Sequence, residues 1–515
     1  MDITKLVVLG LYVAILFGIG IVASRRVKSM SDFYVGGKKI GYWAVAFSAR
    51  ATGESGWLLI GLTGMGALFG LSTYWVVVGE VLGVAISWWF MAKKFKRKSD
   101  EYNAITVPDY LESHFKSNTK TLRILASTIL SIFVVIYVSS QIDVTGKAFE
   151  TMMDMNYYWG AIIGFLIVLS YIFIGGFVAA VWSDLFQGLM MFIGLVMLPI
   201  VVFFSMDGGT GIIEGLQSID PALTQVWGTS TDVWMNIATM LGFAMIGLGF
   251  LGSPQVYVRF MSIKSEKQID KGKWVAVLFT LLTDAAAVTI GILARIIFTE
   301  SGQDPEAILG TGAESVLNIM TENFLPYIVV AIYVAIVLSA IMSTIDSLLV
   351  IASSAITRDF YQKIFRPDLK DEALAPLSRK VTLVMAFVAL IIAMVIAVVA
   401  PNHTVFWLII FGWSGIAASF CPVIILTLFW KGLSETGAIA AMIAGFLCVP
   451  IFKFVVQGME GIGPYFVQLD VLAPSFLISM IMAWVFSKVY PDQNTKDDSN
   501  DTTAQQAIAS EKTES

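Results

Sequence analysis

The stretch AFSARATGESGWLLIG, residues 46–61, sets Arg50 and Glu54 four apart inside an apolar run. That spacing puts both on one helix face, where they can pair. Gly53, Ser55 and Gly56 stand around Glu54, and glycine costs a helix roughly 1 kcal/mol relative to alanine. Unwinding there frees backbone carbonyls and amides, which a membrane interior tolerates only where they line a cavity or bind something. A second run, IGLGFLGSPQ at 246–255, gathers Gly247, Gly249, Gly252 and Pro254. Proline removes an amide donor and clashes with the preceding turn. A third, AIVLSAIMSTIDSLLVIASSAIT at 335–357, carries the hydroxyls of Ser339, Ser343, Thr344 and Ser347 and the carboxylate of Asp346. Ser343, Asp346 and Ser347 share a face. Such all-oxygen sets suit hard cations, here a weakly and reversibly held monovalent ion.

Asp184, in FIGGFVAAVWSDLFQG, lies eight residues beyond a Gly-Gly turn. It is expected either to draw a cation toward Asp346 and Ser347, as a second cation or proton site, or to pair with a basic residue near the cytoplasmic surface. Arg50 and Glu54 are candidates for gating or coupling, Glu54 as a titrating carboxyl, because ionisable groups at membrane depth default to function. Arg259, at the end of its apolar run, is expected to snorkel to the interface.

The rest of the chain must position these residues in a bilayer. Of 515 residues, 57% are hydrophobic and 14% charged, against about 25% charged in soluble domains. Apolar runs of about 20 residues recur throughout, which reads as a polytopic all-α membrane protein. Continuous runs, not short alternating segments, exclude a β-barrel. Cys421 and Cys448 both fall in predicted spans and read as small apolar residues, not a disulfide. Only His114 and His403 are present, which argues against a histidine metal site or catalytic base. With no nucleophile–base pair at a useful spacing, the expectation is a non-enzyme with no organic cofactor and no nucleic-acid partner. The first apolar run ends in Arg25-Arg26-Val27-Lys28, so it reads as a retained helix, not a cleaved leader.

Thirteen spans are expected, at roughly 5–24, 41–70, 72–94, 121–147, 157–174, 177–206, 234–258, 272–298, 324–357, 377–400, 403–430, 434–455 and 470–490. One set of connections carries clusters such as Lys93, Lys94, Lys96, Arg97 and Lys98. The opposite set includes 207–233 and 299–323, which hold no Lys or Arg but do hold Asp207, Glu214, Asp220, Glu300, Asp304, Glu306, Glu314 and Glu322. The positive-inside rule then places the N-terminus outside and the C-terminus in the cytoplasm of a cell-membrane protein. Within the cytoplasmic segment 99–120 a short interfacial helix is expected after Pro108. The tail from Pro491 has the composition of a disordered, solvated segment.

The spans containing the two glycine clusters occupy corresponding places in two five-helix halves, the pattern of an inverted-repeat secondary transporter. The expected organisation is an additional helix and loop in 1–40, repeats in 41–233 and 234–430, two further helices in 431–490 and the tail 491–515.

Five strings together are specific: SGWLLIGL (55–62), AITVPDYLESHF (104–115), YIFIGGFVAAVWSDLFQG (171–188), GLGFLGSPQVYVRFM (247–261) and SAIMSTIDSLLVIASSAITRDFY (339–361). They make the chain resemble the solute:sodium symporter family, and within it the bacterial sodium/proline symporters, over about residues 5–455. The resemblance implies a LeuT-type fold of two inverted five-helix repeats working by alternating access. It implies a main sodium site from the carbonyls of Ala51, Glu54 and Ala340 and the hydroxyls of Ser343 and Thr344. Substrate contacts would come from Ser55, Gly56, Trp57, Tyr137, Ile246, Phe250 and Pro254, and Asp184 would match the family's sodium-linked aspartate. The chain departs from the proline carriers at Gly53, where they have aspartate, at Glu54, where they have an apolar residue, and at Ile246 and Phe250, where they have tryptophan and tyrosine. The expected function is import of a small organic solute, proline or another amino acid, driven by co-transported sodium. A proton-coupled carrier of an amino acid or carboxylate on the same fold is the alternative, followed by a transporter-like membrane sensor.

Overall fold

The computed structural model describes residues 3–492, apart from 28, 118, 206–210, 371–372 and 401–402 and the side chains of 172–175 and 407. Expectations for the tail fall almost entirely outside the described residues. Those for Lys28 and Asp207 fall wholly outside them.

The chain folds as an all-helical bundle. Among the described residues, eleven helical stretches are long and apolar enough to cross a membrane. The thirteen expected spans do not appear as thirteen separate stretches, for a local reason. Residues Gly70–Thr73 form a tight 3-10 turn where a loop was expected, so Tyr42–Glu101 runs on through two expected spans. Helix also runs continuously over Tyr157–Ser205, kinked where Gly176 takes φ 54°, ψ −145°. Few residues other than glycine adopt that backbone. A short helix is present at the expected place as Val107–Phe115, capped by Thr106, whose hydroxyl accepts from the Asp109 amide at 3.1 Å, with Pro108 in its first turn and Val107 to Leu111 buried against the bundle.

Two helices are broken at mid-span. The first runs Tyr42–Gly56 but leaves helical geometry at Ser55, then resumes as a π-helical turn, Trp57–Gly61, and helix Leu62–Phe69. The second runs Val233–Met245, passes through a 3-10 segment, Ile246–Leu251, and restarts at Pro254–Ser262. Both lie beside the long helix Tyr327–Ser354, whose residues from Tyr333 to Ser354 are all buried.

Glycine permits the close approaches that fix this arrangement. A Cβ at Gly247 would lie 2.0 Å from the carbonyl oxygen of Gly79, and one at Gly83 would lie 2.1 Å from that of Gly247. The helix Tyr74–Ile86 therefore meets the second break backbone to backbone, the small-residue packing typical of membrane bundles. The ends of the broken helices are also tied together. Ile40 donates to the Ser262 carbonyl at 3.1 Å, and Lys264 donates to the Ile40 carbonyl at 2.9 Å. Cys421 and Cys448 are both free thiols.

Candidate ion and substrate site

Ser55 sits at φ 53°, ψ −171°. A non-glycine residue held in such a region costs on the order of 1–3 kcal/mol and marks a place the surroundings over-determine. The break turns two carbonyls out of the helix toward Tyr327–Ser354. Ser343 Oγ donates to the Ala51 carbonyl at 3.1 Å, and Thr344 Oγ1 donates to the Thr52 carbonyl at 3.2 Å. The same two hydroxyls reach the Ala340 carbonyl at 3.1 and 3.3 Å. Ala51, Ala340, Ser343 and Thr344 are thus brought together and fully buried. Glu54 is not drawn in with them: its carbonyl accepts from the Trp57 amide, and the Thr52 carbonyl stands beside Thr344. A hydroxyl keeps two acceptor lone pairs while it donates, so Ser343 and Thr344 can turn oxygen toward a cation without moving the backbone.

Asp184 and Arg259 overturn one expectation. Arg259 does not snorkel. It is fully buried, and its guanidinium donates to Ser48 Oγ at 2.7 Å, Thr52 Oγ1 at 2.6 Å and Asp184 Oδ2 at 3.0 Å, and also to Ser347 Oγ and the Gln255 carbonyl. The helix Pro254–Ser262 starts within the bundle because of the second break, which carries Arg259 inward. Asp184 pairs with this arginine inside the bundle, not with a basic residue near the surface as expected. Ser347 Oγ lies between the two carboxylates, 3.1 Å from Asp346 Oδ1 and 3.4 Å from Asp184 Oδ2, and Asp346 also accepts from Tyr171 Oη at 3.2 Å and Ser183 Oγ at 3.4 Å. The oxygens of Asp184 and Ser347 already surround a guanidinium, a cation held by the chain itself.

Arg50 and Glu54 pair as their spacing implied, but within a larger group. Glu80 lies 3.4 Å from the Arg50 guanidinium, and the carboxylates of Glu54, Glu80 and Asp284 all lie within 4.8 Å of one another, buried. Phe250 fills the space over Gly53 and lies against Arg50. A Cβ at Gly53 would lie 2.6 Å from the Phe250 ring, and the Arg50 guanidinium sits 4.3 Å from that ring's centroid. A side chain at 53 would require this ring to move. Glu80, in YWVVVGEVLGVAI, and Asp284, in LLTDAAAVTIG, escaped the sequence reading. The rule that singled out Arg50 applies equally to both.

The residues expected to contact substrate surround the same breaks. The Gly56 amide donates to Gln141 Oε1 at 3.1 Å. Trp413, which the sequence did not flag, packs tilted against Phe250 with ring centroids 5.0 Å apart and edge-on against Tyr137 at 6.5 Å, and donates to the Ile246 carbonyl at 3.3 Å. Trp57 packs tilted against Phe406, with ring centroids 5.9 Å apart. A cavity of about 240 Å³ reaches Ile246 and Phe406 from the end of the bundle that carries Glu306 and Glu314. On the other side of the break only about 10 Å³ is open beside Pro254, Val258 and Ile351. Below it, Arg123 pairs with Asp109 at 2.8 Å, with Asp359 at 2.5 Å and with Glu112, and Arg358 pairs with Asp109 at 3.1 Å. A cavity therefore reaches the second break from one end of the bundle, while ion pairs occupy the opposite end.

The sodium:solute symporter family model matches residues 33–445. The high-affinity proline transporter of Bacillus subtilis is 33% identical over 491 residues, covering 94% of this chain and 98% of that protein. Sodium/proline symporter 2 of Staphylococcus saprophyticus is 32% identical over 490 residues, covering 93% and 91%. Among solved structures, a Na+-coupled sialic acid symporter in a substrate-bound outward-open state superposes with a TM-score of 0.74 at 17% identity, covering 95% of this chain and 98% of the other. MhsT in complex with L-phenylalanine gives 0.54 at 13% identity, covering 85% and 98%. The fold is LeuT-type, with its two interrupted helices where the glycine clusters placed them. The chain belongs to the sodium:solute symporter family.

Proposed function

We propose that this symporter brings a small organic solute, proline first among the candidates, into the cell with sodium by alternating access. The observation that carries this is the meeting of the Ser343 and Thr344 hydroxyls with the Ala51 and Ala340 carbonyls at the first break. These four oxygens are proposed to hold sodium beside a substrate pocket formed by Ser55, Gly56, Trp57, Tyr137, Ile246, Phe250 and Pro254. Proline is drawn from the names of the Bacillus and Staphylococcus relatives. Sodium would couple the fluxes by favouring the state open toward the Glu306 and Glu314 side, since an ion shifts an equilibrium only through its differential affinity for the two states. The proposed orientation puts that side outside, with the arginine-rich closure facing the cytoplasm. The test is uptake of labelled proline and other amino acids into proteoliposomes under a sodium gradient.

One observation favours a second reading, proton coupling on the same fold. Glu54, Glu80 and Asp284 share a single guanidinium, Arg50, at membrane depth. Carboxylates in excess of their cation are costly there unless protonated or offset by another cation. The same vesicles, energised by a pH gradient without sodium, separate the two readings.

A further inference from the structure

A large open space lies away from the two breaks. Two cavities, of about 790 and 500 Å³, adjoin at Arg26, Trp182 and Leu185, which line both. The larger is walled by the loop after the first helix and by the entry to the first broken helix. Arg25, Arg26 and Lys39 line it, and so do Asp32 and Gln268. The smaller runs along the first helix, Ile3–Ser24, and the second half of Tyr157–Ser205, with walls that include Gly18, Val22, Phe186 and Leu189. Val22 and Leu189 are open to the surface, at 58% and 47% exposure.

The two ends differ in chemistry. Among the described residues Arg25, Arg26 and Lys39 form no ion pair with the chain. The one carboxylate in the wall, Asp32, is engaged: it accepts from the amide and the hydroxyl of Ser29, both at 2.9 Å. The Arg26 guanidinium sits 5.3 Å from the centroid of the Trp182 ring, which is itself 39% exposed. Three cations against one carboxylate leave a net charge of about +2 at the polar end. Beyond Arg26 and Trp182 at the junction, the groove leading from it is lined by apolar residues. Tryptophan at the junction is the residue that prefers the headgroup level of a bilayer. Basic pockets opening between membrane helices recognise anionic headgroups, each Lys or Arg contributing on the order of 1 kcal/mol.

We propose that this site holds an anionic phospholipid, with its phosphate at Arg25, Arg26 and Lys39 and an acyl chain along the groove between Gly18 and Leu189. The occupant is a diacyl lipid, not a free phosphate, because the apolar groove continues from the basic end without a break. A bound lipid would touch Gly41, Tyr42 and Trp43, and so would brace the start of the first broken helix.

Native mass spectrometry and thermal unfolding of the full chain test this, with phosphatidylglycerol, phosphatidylcholine or glycerol 3-phosphate added. The wild type is expected to retain phosphatidylglycerol and to gain thermal stability from it, while phosphatidylcholine and glycerol 3-phosphate give little. R25Q/R26Q/K39Q is expected to weaken retention by about 100-fold, from the loss of three such cations. The charge-matched K363Q/R379Q/K380Q, at exposed positions elsewhere on the chain, should behave as wild type. Should the triple variant fail to fold, Gly18→Trp keeps the cations but fills the groove, since nothing lies within 4 Å of a Cβ there; it too should lose the lipid. Equal response to phosphatidylglycerol and phosphatidylcholine overturns the proposal. So does a full response to glycerol 3-phosphate, or undiminished lipid retention in R25Q/R26Q/K39Q or in Gly18→Trp.

Discussion

Ser343 Oγ lies 3.1 Å from the carbonyl oxygen of Ala51, a residue 292 positions earlier in the chain. The contact exists because the first broken helix leaves helical geometry at Ser55 and so presents a carbonyl that an unbroken helix would keep for itself. It joins one repeat to the other across the proposed ion site. Any rocking of one repeat against the other must stretch or break it.

Arg259 and Asp184 form a buried pair, and removing one partner strands the other. Arg259→Ala and Asp184→Ala should each cost about 3–5 kcal/mol of stability. The double variant should cost clearly less than the sum. Thermal or denaturant unfolding in detergent completes this cycle, and strict additivity would show that the 3.0 Å contact carries no coupling. Arg259→Ala should also acquire a sodium-dependent rise in Tm larger than that of the wild type, because Ser48, Thr52, Asp184 and Ser347 would then surround a site with no cation of its own.

In the group of Arg50, Glu54, Glu80 and Asp284, the guanidinium is outnumbered. Arg50→Gln should therefore destabilise by several kcal/mol, as uncompensated carboxylates do at depth. Glu80→Gln removes part of the excess and should cost less than about 1 kcal/mol, or stabilise. Ranking the two by Tm checks this, and the reverse order would contradict the charge balance described. Under the proton reading, Glu54→Gln and Glu80→Gln should both alter the pH profile of uptake.

Gly247 faces the Gly79 carbonyl with no room for a methyl group. Gly247→Ala should destabilise by about 1–3 kcal/mol and impair transport by spreading the two helices. Gly10→Ala, inside helix Ile3–Ser24, is the control, since nothing lies within 4 Å of its Cβ, and it should cause no loss, gaining up to about 1 kcal/mol from helix propensity. Equal effects would show that the close approach is not specific.

Asp109 gives the ion-paired closure a pH dependence. Burial pushes its carboxyl up, but Arg358 and Arg123 outweigh that and hold it below the ordinary carboxylate value. A depressed pKa contributes stability that is present above the unfolded value, about 4, and is lost as pH falls through the folded one. Asp109→Asn should therefore be less stable than wild type at pH 7 by about 3 kcal/mol. The gap should narrow as pH drops below about 4, measured by unfolding at a series of pH values. A gap independent of pH would exclude an ionised Asp109 in the closure.

What the sequence revealed, and what it hid, follows from the range of the forces involved. The breaks near Ser55 and Gly252 were legible because glycine and proline act on their own backbone. Ser343 and Thr344 were legible as adjacent hydroxyls in an apolar run, but their role beside Ala51 and Ala340 was implied only by the resemblance, since helical periodicity groups Ser343 with Asp346 and Ser347. Arg259 was misread because its depth depends on where the second break lets helix Pro254–Ser262 restart, which is a tertiary matter. Phe250 was expected only to meet substrate, yet it also fills the space over Gly53 and lies against Arg50, a contact between two repeats that no local pattern encodes. Glu80 and Asp284 were visible as charges in apolar runs, but only their convergence on Arg50 gives them a partner.

The most direct test is the sodium dependence of labelled proline uptake, with the sodium half-saturation compared between wild type, Ser343→Ala and Thr344→Ala in proteoliposomes. Loss of one hydroxyl ligand should raise the half-saturation at least tenfold, about 1.4 kcal/mol, while unfolding shows the protein still folded. Uptake that follows sodium identically in all three proteins, or that needs no sodium in the wild type, would contradict an ion site between Ala51 and Ser343.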